Sequence, residues 1–214
     1  MTSLRVLKLL VIDDDLLMTQ ALASGLANQD FESIQTANDA AEAMKIFRVF
    51  APDVCLIDID LKLGPTGIDV AHAMRKLIPN VGIVFLTSLS DPRLVDSAMP
   101  ELPKNAAYLR KDRIANLTDI AKTIHEVHES KGHNKKIASP EPSLLKLTKS
   151  QFELIRLLAE GYTNLEISKL RVTSVKSTEN AISRLAKKLG ITNSSVKSQR
   201  VLLTRKYMEL IGKI

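Results

Sequence analysis

The chain has 214 residues, of which 45% are hydrophobic and 4% aromatic, with no Trp and a single cysteine. This composition excludes a disordered chain and a disulfide-stapled scaffold, and no apolar stretch approaches the length of a membrane span. We therefore expect one large or two small folded domains with aliphatic cores, in a soluble, cytoplasmic protein without a secretory leader. Cys55 lies in an apolar strand, where a small core residue is the simplest interpretation.

Charge is distributed unevenly along the chain. Residues 1–128 hold 13 Lys and Arg against 17 Asp and Glu, a net charge of −4, and residues 129–214 hold 17 against 7, a net charge of +10, which together give the formal +6. An acidic first region and a basic second region predict two domains, the second facing a polyanion such as nucleic acid. Excess lysine also serves solubility, so charge alone is weak evidence.

The first region alternates apolar strands with amphipathic helices up to about residue 128. Four runs are typical of strands buried on both faces: VLKLLVIDD, PDVCLIDID, VGIVFLTS and NAAYLRKD. The segments DLLMTQALASGLANQ and AAEAMKIFRVF carry apolar residues at helical spacing. Asp15 is expected to begin the first of these helices, and Asp39 to cap the second together with Glu42. The alternation predicts an α/β doubly wound parallel sheet with helices on both faces.

A polar segment, ESKGHNKKIASPEPS, then interrupts every periodicity. Gly132, Pro140 and Pro142 mark it as a linker over residues 129–146. The predicted domains are therefore residues 1–128 and 147–214.

The second region contains helical segments only. LTKSQFELIRLLAEG predicts a helix ended by Gly161, and TNLEISKLR a short helix capped by Thr163 or Asn164. After a brief turn, KSTENAISRLAKKLG predicts a longer helix ended by Gly190, and a last helix covers about residues 194–211. Short helices joined by a tight turn predict an all-α helix-turn-helix domain.

Polar residues follow the predicted strands of the first region. They are Asp13, Asp14, Asp58, Thr87 and Lys111. Because ligands bind where the strand ends of a parallel sheet converge, we expect these side chains to share one pocket. Carboxylates that close repel each other unless a cation joins them, and hard oxygen ligands suit Mg²⁺. The set suits phosphoryl transfer to a carboxylate, with Asp58 as nucleophile, Asp13 and Asp14 on the metal, and Thr87 and Lys111 on phosphate oxygens.

Residues 4–128 resemble the receiver domain of two-component response regulators. The matching motifs are the acidic pair in VIDD, the acceptor in PDVCLID, the hydroxyl in FLTS and the lysine in YLRKD. The resemblance implies a flavodoxin-like fold and phosphorylation of Asp58 by a histidine kinase. It also implies Mg²⁺ binding by Asp13, Asp14, Asp58 and a backbone carbonyl near Asp60. It further implies a switch in which Thr87 moves toward the phosphate and Tyr108, otherwise a half-buried aromatic residue, turns inward.

Some positions depart from the receiver pattern. Lys62 stands in the usual proline position after the acceptor, with one extra residue before Gly67. Pro92, Pro100 and Pro103 predict a short or irregular fourth helix. That helix belongs to a face through which many receivers signal or dimerise.

The segments GYTNLEIS and STENAISRLAKKLGI, over residues 147–211, resemble the helix-turn-helix of LuxR/FixJ/NarL regulators. The resemblance implies that the longer helix enters the major groove of DNA. Its outward candidates are Lys176, Ser177, Asn180, Ser183, Arg184 and Lys187. Asn180 and Arg184 are four residues apart and could reach base edges, whereas Lys176 and Lys187 suit phosphates. Glu179 replaces a phosphate-contacting lysine of the family, and a solvated lysine-rich face is the alternative interpretation.

The last helix carries Leu203, Tyr207 and Leu210 on one stripe. In the family the corresponding helix pairs two subunits, but a helix that only covers the core explains the same stripe.

The leading hypothesis is a response regulator, not an enzyme, in which phosphorylation of Asp58 controls DNA binding and transcription by a homodimer. One alternative keeps DNA binding but makes the receiver independent of phosphate. Another is an aspartate-nucleophile phosphatase of the haloacid dehalogenase type, because Asp13-Asp14-Asp15 and Asp58-Ile59-Asp60 each contain Asp-x-Asp.

Overall fold

The computed structural model of the chain describes residues 7–62, 64–94, 99–130, 147–191 and 198–213. The chain divides into two compact units. The first comprises residues 1–88 and 100–139, and the second comprises residues 89–99 and 140–214. The predicted linker lies almost wholly outside the described residues, so the domain boundaries drawn there remain a prediction. Residues 89–94, which the sequence places in the first domain, pack with the second unit.

The first unit is built on a parallel five-stranded sheet. Its strands are β1 (Leu7–Ile12), β2 (Phe31–Ala37), β3 (Val54–Ile57), β4 (Gly82–Thr87) and β5 (Ala107–Arg110). Their order in the sheet is β2-β1-β3-β4-β5, and every neighbouring pair is parallel. The predicted doubly wound α/β class is confirmed.

Strand β2 is the one strand of this sheet that the four apolar runs omit. It lies at the sheet edge, and most of its residues are only partly buried. An edge strand packs against one neighbour only, so its sequence FESIQTA needs no continuous apolar run.

Four helices cover the sheet: α1 (Leu16–Leu26), α2 (Ala40–Phe50), α3 (Gly67–Leu77) and α4 (Leu117–Glu129). Leu9 and Val11 of β1 share a core with Leu22 of α1 and Ile124 of α4. Alternate strand residues point to the opposite face of the sheet, where α2 and α3 bury their own apolar stripes. Cys55 is fully buried in β3, as predicted.

The helix beginnings follow their predicted capping residues. The Asp15 carboxylate accepts hydrogen bonds from the amides of Leu17 and Met18. The Asp39 carboxylate accepts one from the Glu42 amide, while Glu42 accepts one from the amide of Asn38. Each pair satisfies amides that a helix otherwise leaves without partners.

The second unit is a helical bundle with helices α5 (Lys149–Ala159), α6 (Asn164–Leu170), α7 (Val175–Lys188) and α8 (Gln199–Leu210). Thr163 caps α6 in a reciprocal pair with Glu166, which settles the choice between Thr163 and Asn164. Ser174 caps α7 by accepting from the Ser177 amide, so this helix begins one residue earlier than predicted. The predicted start of the last helix lies outside the described residues.

The region of the predicted fourth helix is irregular where it is described. Among the described residues of this region, only Pro92–Leu94 form a helical turn, and that turn is 3₁₀. Residues 95–98 lie outside the described residues, so the short or irregular fourth helix stays a prediction; its reason is that proline cannot donate a backbone hydrogen bond and disfavours helix in the preceding residue. Among the described residues, no helix combines the length and apolar character needed to cross a membrane.

Candidate functional site

The polar residues predicted to share a pocket lie at the carboxyl ends of adjacent strands. Asp13 follows β1, Asp58 follows β3, Thr87 ends β4 and Lys111 follows β5. Lys111 Nζ donates to Asp13 Oδ2 over 2.6 Å and to Asp58 Oδ2 over 2.7 Å. Asp13, Asp14 and Asp58 each present a carboxylate oxygen within 4.8 Å of the others. Sequence positions nearly a hundred residues apart therefore meet in one cluster.

Backbone hydrogen bonds fix the two loops that carry these carboxylates. The Asp58 amide donates to the Ile12 carbonyl over 2.8 Å, which joins the end of β3 to the end of β1. The side-chain amide of Asn38 donates to the Asp13 carbonyl over 3.0 Å. Asn38 was not identified from the sequence, and an Asn beside a capping residue carries no signal that distinguishes this role.

Gly67 allows the acceptor loop to close against α3. Its amide donates to the Ile59 carbonyl over 2.9 Å. A Cβ atom at this position would lie 2.0 Å from the Asp58 carbonyl oxygen, far inside van der Waals contact. The close approach therefore requires glycine.

Burial and opposite charge set the electrostatics of the pocket. Asp13 is 3% exposed and Asp58 is 8% exposed. Burial raises the pKa of Asp13, although the hydrogen bond from Lys111 opposes this effect. Burial works against the charged form of Lys111, but the carboxylates of Asp58 and Asp13 outweigh it and raise the pKa of this lysine. The ammonium thus stays protonated, ready for an anionic oxygen.

Lys62 adds a second cation beside the cluster. Its side chain forms a salt bridge with Asp14, and its backbone φ of 56° is in the left-handed region. The hydrogen bond and charge of Asp14 raise the pKa of Lys62. The sequence marks Lys62 only as a departure from the proline of the family pattern, and this partner was not predicted.

We expect Lys62→Ala to tighten Mg²⁺ binding by roughly threefold to tenfold, because the substitution removes a cation that competes for the Asp14 carboxylate. The effect is modest because solvent and salt screen the charge of the exposed Lys62. Isothermal titration calorimetry at low ionic strength measures the effect. Lys76→Ala, on an exposed position of α3, is the matched control and should leave the affinity unchanged. Equal affinities for wild type and Lys62→Ala would contradict the competition.

Thr87 and Tyr108 are both buried, at 1% and 3% exposure. The interpretation of Tyr108 as a half-buried residue was therefore wrong. Tyr108 pairs in register with Phe85 of β4, and it lies in the buried first half of β5 and not at the strand's less buried end. The switch roles of Thr87 and Tyr108 remain predictions.

The second unit presents a polar surface on α7. The six candidates named from the sequence are all exposed: Lys176, Ser177, Asn180, Ser183, Arg184 and Lys187. The opposite side of the helix is buried through Thr178, Ile182, Leu185 and Ala186. One face of α7 is therefore available to a ligand while the other anchors the helix.

Two features near this surface were not predicted. Lys176 pairs with Glu179 at 3.4 Å, so the acidic residue that replaces a family lysine is partly neutralised. Arg200 of α8 donates to the Asn164 side chain over 3.2 Å and to the Tyr162 carbonyl. Arg200 thereby fixes the beginning of α6 against α8.

The stripe on the last helix is part of the core. Leu203 and Leu210 are buried among Phe152 and Leu154 of α5, and Tyr207 packs against the same cluster. Packing within the chain thus accounts for the stripe, in agreement with the alternative in which the last helix covers the core.

The family model of the response regulator receiver domain matches residues 9–122, slightly more than half of the chain. The chain belongs to the response regulators. Among curated proteins, this response regulator is 30% identical to the transcriptional regulatory protein LiaR of Bacillus subtilis (strain 168), over 87% of the chain and 92% of LiaR. It is 27% identical to the oxygen regulatory protein NreC of Staphylococcus aureus (strain MRSA252), over 86% of the chain and 92% of NreC. The resemblance to LuxR/FixJ/NarL-type regulators is confirmed.

Solved structures of similar fold cover nearly the whole response regulator. The structure of the response regulator RcsB in complex with DNA matches 97% of this chain and 100% of its own, with 18% identity and a TM-score of 0.56. RcsB from Salmonella enterica serovar Typhimurium, bound to the promoter rprA in the presence of the phosphomimetic BeF3⁻, matches 94% and 98%, with 19% identity and a TM-score of 0.53. At this identity the likeness shows a shared fold, a receiver followed by a helical domain.

Proposed function

We propose that this response regulator accepts a phosphoryl group on Asp58 from a histidine kinase, and that the modification controls DNA binding and transcription through α7. In the transfer, a bond forms between an Asp58 carboxylate oxygen and phosphorus, and the phosphorus–nitrogen bond of the kinase phosphohistidine breaks. Asp58 is proposed as the acceptor because it follows the central strand β3 and its carboxylate contacts Lys111 over 2.7 Å. The protein acts as a switch, not as an enzyme that turns over a substrate.

The observation that carries this proposal is the position of the Lys111 ammonium. It contacts Asp13 and Asp58 at once, over 2.6 and 2.7 Å. A point charge held there can move to an oxygen of a phosphoryl group on Asp58, because its flexible stem leaves its donors free to rotate. The Thr87 hydroxyl, at the end of the neighbouring strand, is proposed to bind a second oxygen, and Tyr108 to follow its movement.

The donor set fits Mg²⁺. Asp13, Asp14 and Asp58 supply hard carboxylate oxygens, which are the ligands this ion prefers, and only a few protein ligands are needed because Mg²⁺ keeps several waters. When bound, the ion would neutralise charge on the phosphoryl oxygens. Asp13 and Asp14 would hold the ion from consecutive positions, and the hydrogen bond from the Asp15 amide to Asp13 Oδ1 orients the first of them.

Three features of the second unit support double-stranded DNA as the partner. The region 129–214 has a net charge of +10, α7 leaves one polar face exposed, and α6 precedes α7 across a short turn. This arrangement is that of a recognition helix, which places side chains in the major groove while flanking cations contact phosphates. We propose that two copies bind neighbouring half-sites as a homodimer, as expected for this type of regulator.

The experiment that tests the function joins phosphorylation to DNA binding. The full chain is incubated with Mg²⁺ and a small acyl-phosphate donor, weighed intact, and titrated with genomic DNA fragments. We expect a single phosphate and a change in DNA affinity or in oligomeric state. A phosphorylated protein with unchanged DNA affinity and oligomeric state would favour the phosphate-independent alternative.

We expect Arg184→Ala to weaken binding to a selected DNA site by about tenfold to a hundredfold, since a bidentate contact to a base edge contributes about 1–3 kcal/mol. Lys187→Ala should weaken binding to all DNA sequences alike. It should also lower the slope of log affinity against log salt concentration by about one phosphate contact. Affinities are measured at several salt concentrations, with Arg156→Ala on α5 as control. If Arg184→Ala lost affinity equally for all DNA sequences, the result would show that Arg184 contacts a phosphate and not a base edge.

A further inference from the structure

A groove lies between helix α2 and the edge strand β2 of the first unit, with a volume of about 430 Å³. Lys8 of β1 and Gln35 of β2 line it from the sheet. One stripe of α2, here called the groove face, lines it from the other side at the spacing of a single helix face: Glu42, Lys45, Ile46, Val49 and Phe50. The groove face is distinct from the buried stripe of α2. Helix α2 therefore presents a second, accessible face beside the sheet edge.

The groove face carries apolar side chains that the fold leaves accessible. Val49 is 88% exposed, and Ile46 and Phe50 are only partly buried. A single exposed valine needs no explanation, but three apolar neighbours on one face beside a cavity indicate a binding surface. This half of the groove therefore suits an aliphatic side chain of a partner.

The other half of the groove is cationic. Neither Lys8 nor Lys45 has a carboxylate partner among the described residues, and Lys8 Nζ lies 5.8 Å from the centroid of the Phe50 ring. Glu42, the acidic residue of the lining, already accepts a hydrogen bond from the Asn38 amide over 2.8 Å. An ammonium attracts an anion more strongly where a neighbouring apolar wall lowers the local dielectric constant. The groove therefore complements a carboxylate that lies close to an aliphatic side chain.

Strand β2 supplies backbone partners for an extended peptide. It spans seven residues at the edge of the sheet and pairs regularly with β1 from Ser33 to Ala37. Within the described part of the chain, no backbone hydrogen bond reaches the side of β2 that faces away from β1. Proline, lysine or a bulge commonly protects such an edge, but FESIQTA contains neither residue and its irregularity lies before Ser33. The outer N–H and C=O groups are therefore available to another strand.

We propose that an extended acidic segment of a partner protein adds to the free edge of β2 and places its side chains in the groove. Alternate side chains of a strand point to the same face, about 7 Å apart. One carboxylate of the segment meets Lys8 and Lys45, and the next side chain on that face, an aliphatic one, covers Val49. Lys8 stands near the beginning of β1 and Asp13 follows its end, so this surface is separate from the phosphoryl pocket. Backbone pairing gives such a complex its affinity, and the groove gives it specificity.

The test screens a phage-displayed library of random peptides, each as long as β2, against the full chain. Enriched peptides are synthesised with a fluorescent label, and their affinities for wild type, Lys45→Glu and Val49→Asp are measured by anisotropy. Both substitutions lie at exposed positions and leave the core intact. Lys76→Glu and Leu77→Asp, at exposed positions of α3, are the matched controls. Hydrogen exchange of the β2 amides is followed with and without peptide.

We expect enriched peptides to alternate acidic and aliphatic residues. They should bind Lys45→Glu and Val49→Asp roughly fivefold to twentyfold more weakly than wild type, because each substitution places a negative charge against an acidic ligand. Both controls should bind as wild type does, and the amides of residues 33–37 should exchange more slowly in the complex. Enrichment of helix-forming or non-acidic peptides, equal affinity for Lys45→Glu and wild type, or unchanged exchange in β2 would each overturn strand addition.

Discussion

We expect the replacement of Asp58 by Asn to abolish the phosphoryl adduct. The amide has nearly the same shape as the carboxylate but is not a nucleophile, and it lacks the charge that Lys111 contacts over 2.7 Å. We expect wild type treated with Mg²⁺ and an acyl-phosphate donor to gain the mass of one phosphate, and Asp58→Asn to gain none. DNA binding of Asp58→Asn should no longer respond to the donor. Intact-protein mass spectrometry and a DNA titration on the same samples measure both effects.

Asp60→Asn is the matched control for this substitution. Asp60 lies two residues from Asp58 but is exposed, and its carboxylate is not among the clustered oxygens. We expect Asp60→Asn to accept phosphate as wild type does. Steady turnover of a phosphate ester, lost in Asp60→Asn or Asp15→Asn, would instead favour the phosphatase alternative, because such an enzyme uses the second Asp of Asp-x-Asp as its acid. A phosphate found on Asp58→Asn would place the acceptor elsewhere.

Gly67→Ala is expected to destabilise the first unit by about 2–4 kcal/mol, because its new methyl group meets a backbone atom. The Cβ atom would lie 2.0 Å from the Asp58 carbonyl oxygen, so α3 or the acceptor loop must shift. Either shift strains the hydrogen bond between the Gly67 amide and the Ile59 carbonyl. Urea unfolding measures the lost stability, and the phosphorylation rate of the folded fraction should fall with it.

Gly64→Ala separates this steric effect from the general cost of replacing a loop glycine. No atom lies within 4 Å of a Cβ built at Gly64, but its φ of 88° is unfavourable for alanine. The expected loss is about 1 kcal/mol, with phosphorylation nearly unaffected. If both variants lost equal stability, the contact between α3 and the acceptor loop would not be the constraint inferred here.

The pocket was predictable because each of its residues carries a local signal. A buried parallel strand has a continuous apolar run, and a charged residue directly after the run must lie at the carboxyl end of that strand. Asp13, Asp58 and Lys111 follow that rule, and the topology brings their strands side by side. The helix caps at Asp15, Asp39 and Thr163 are predictable for a similar reason, since each satisfies amides within its own turn.

Other contacts of the pocket carry no such signal. Lys62 reaches Asp14 because the loop after Asp58 adopts a left-handed backbone at Lys62. A lysine in the sequence does not predict that conformation. Asn38 supports the Asp13 loop from a strand end 25 residues away. Both contacts cross from one loop to another, where many polar partners are chemically equivalent until the backbone path is fixed.

The amino-acid sequence by itself determined the α/β class, four of the five strands, the acidic pocket, the exposed face of α7 and the family, because these depend on periodicity, caps and strand ends. The tertiary structure alone decided which unit residues 89–94 join and that the stripe of α8 lies in the core. A short segment with apolar residues at its two ends, here Leu89 and Leu94, gains free energy when those side chains are buried against any apolar surface within reach. Which surface it covers depends on packing between distant residues, here Leu94 with Phe152 and Leu210, and that information is not local in the chain.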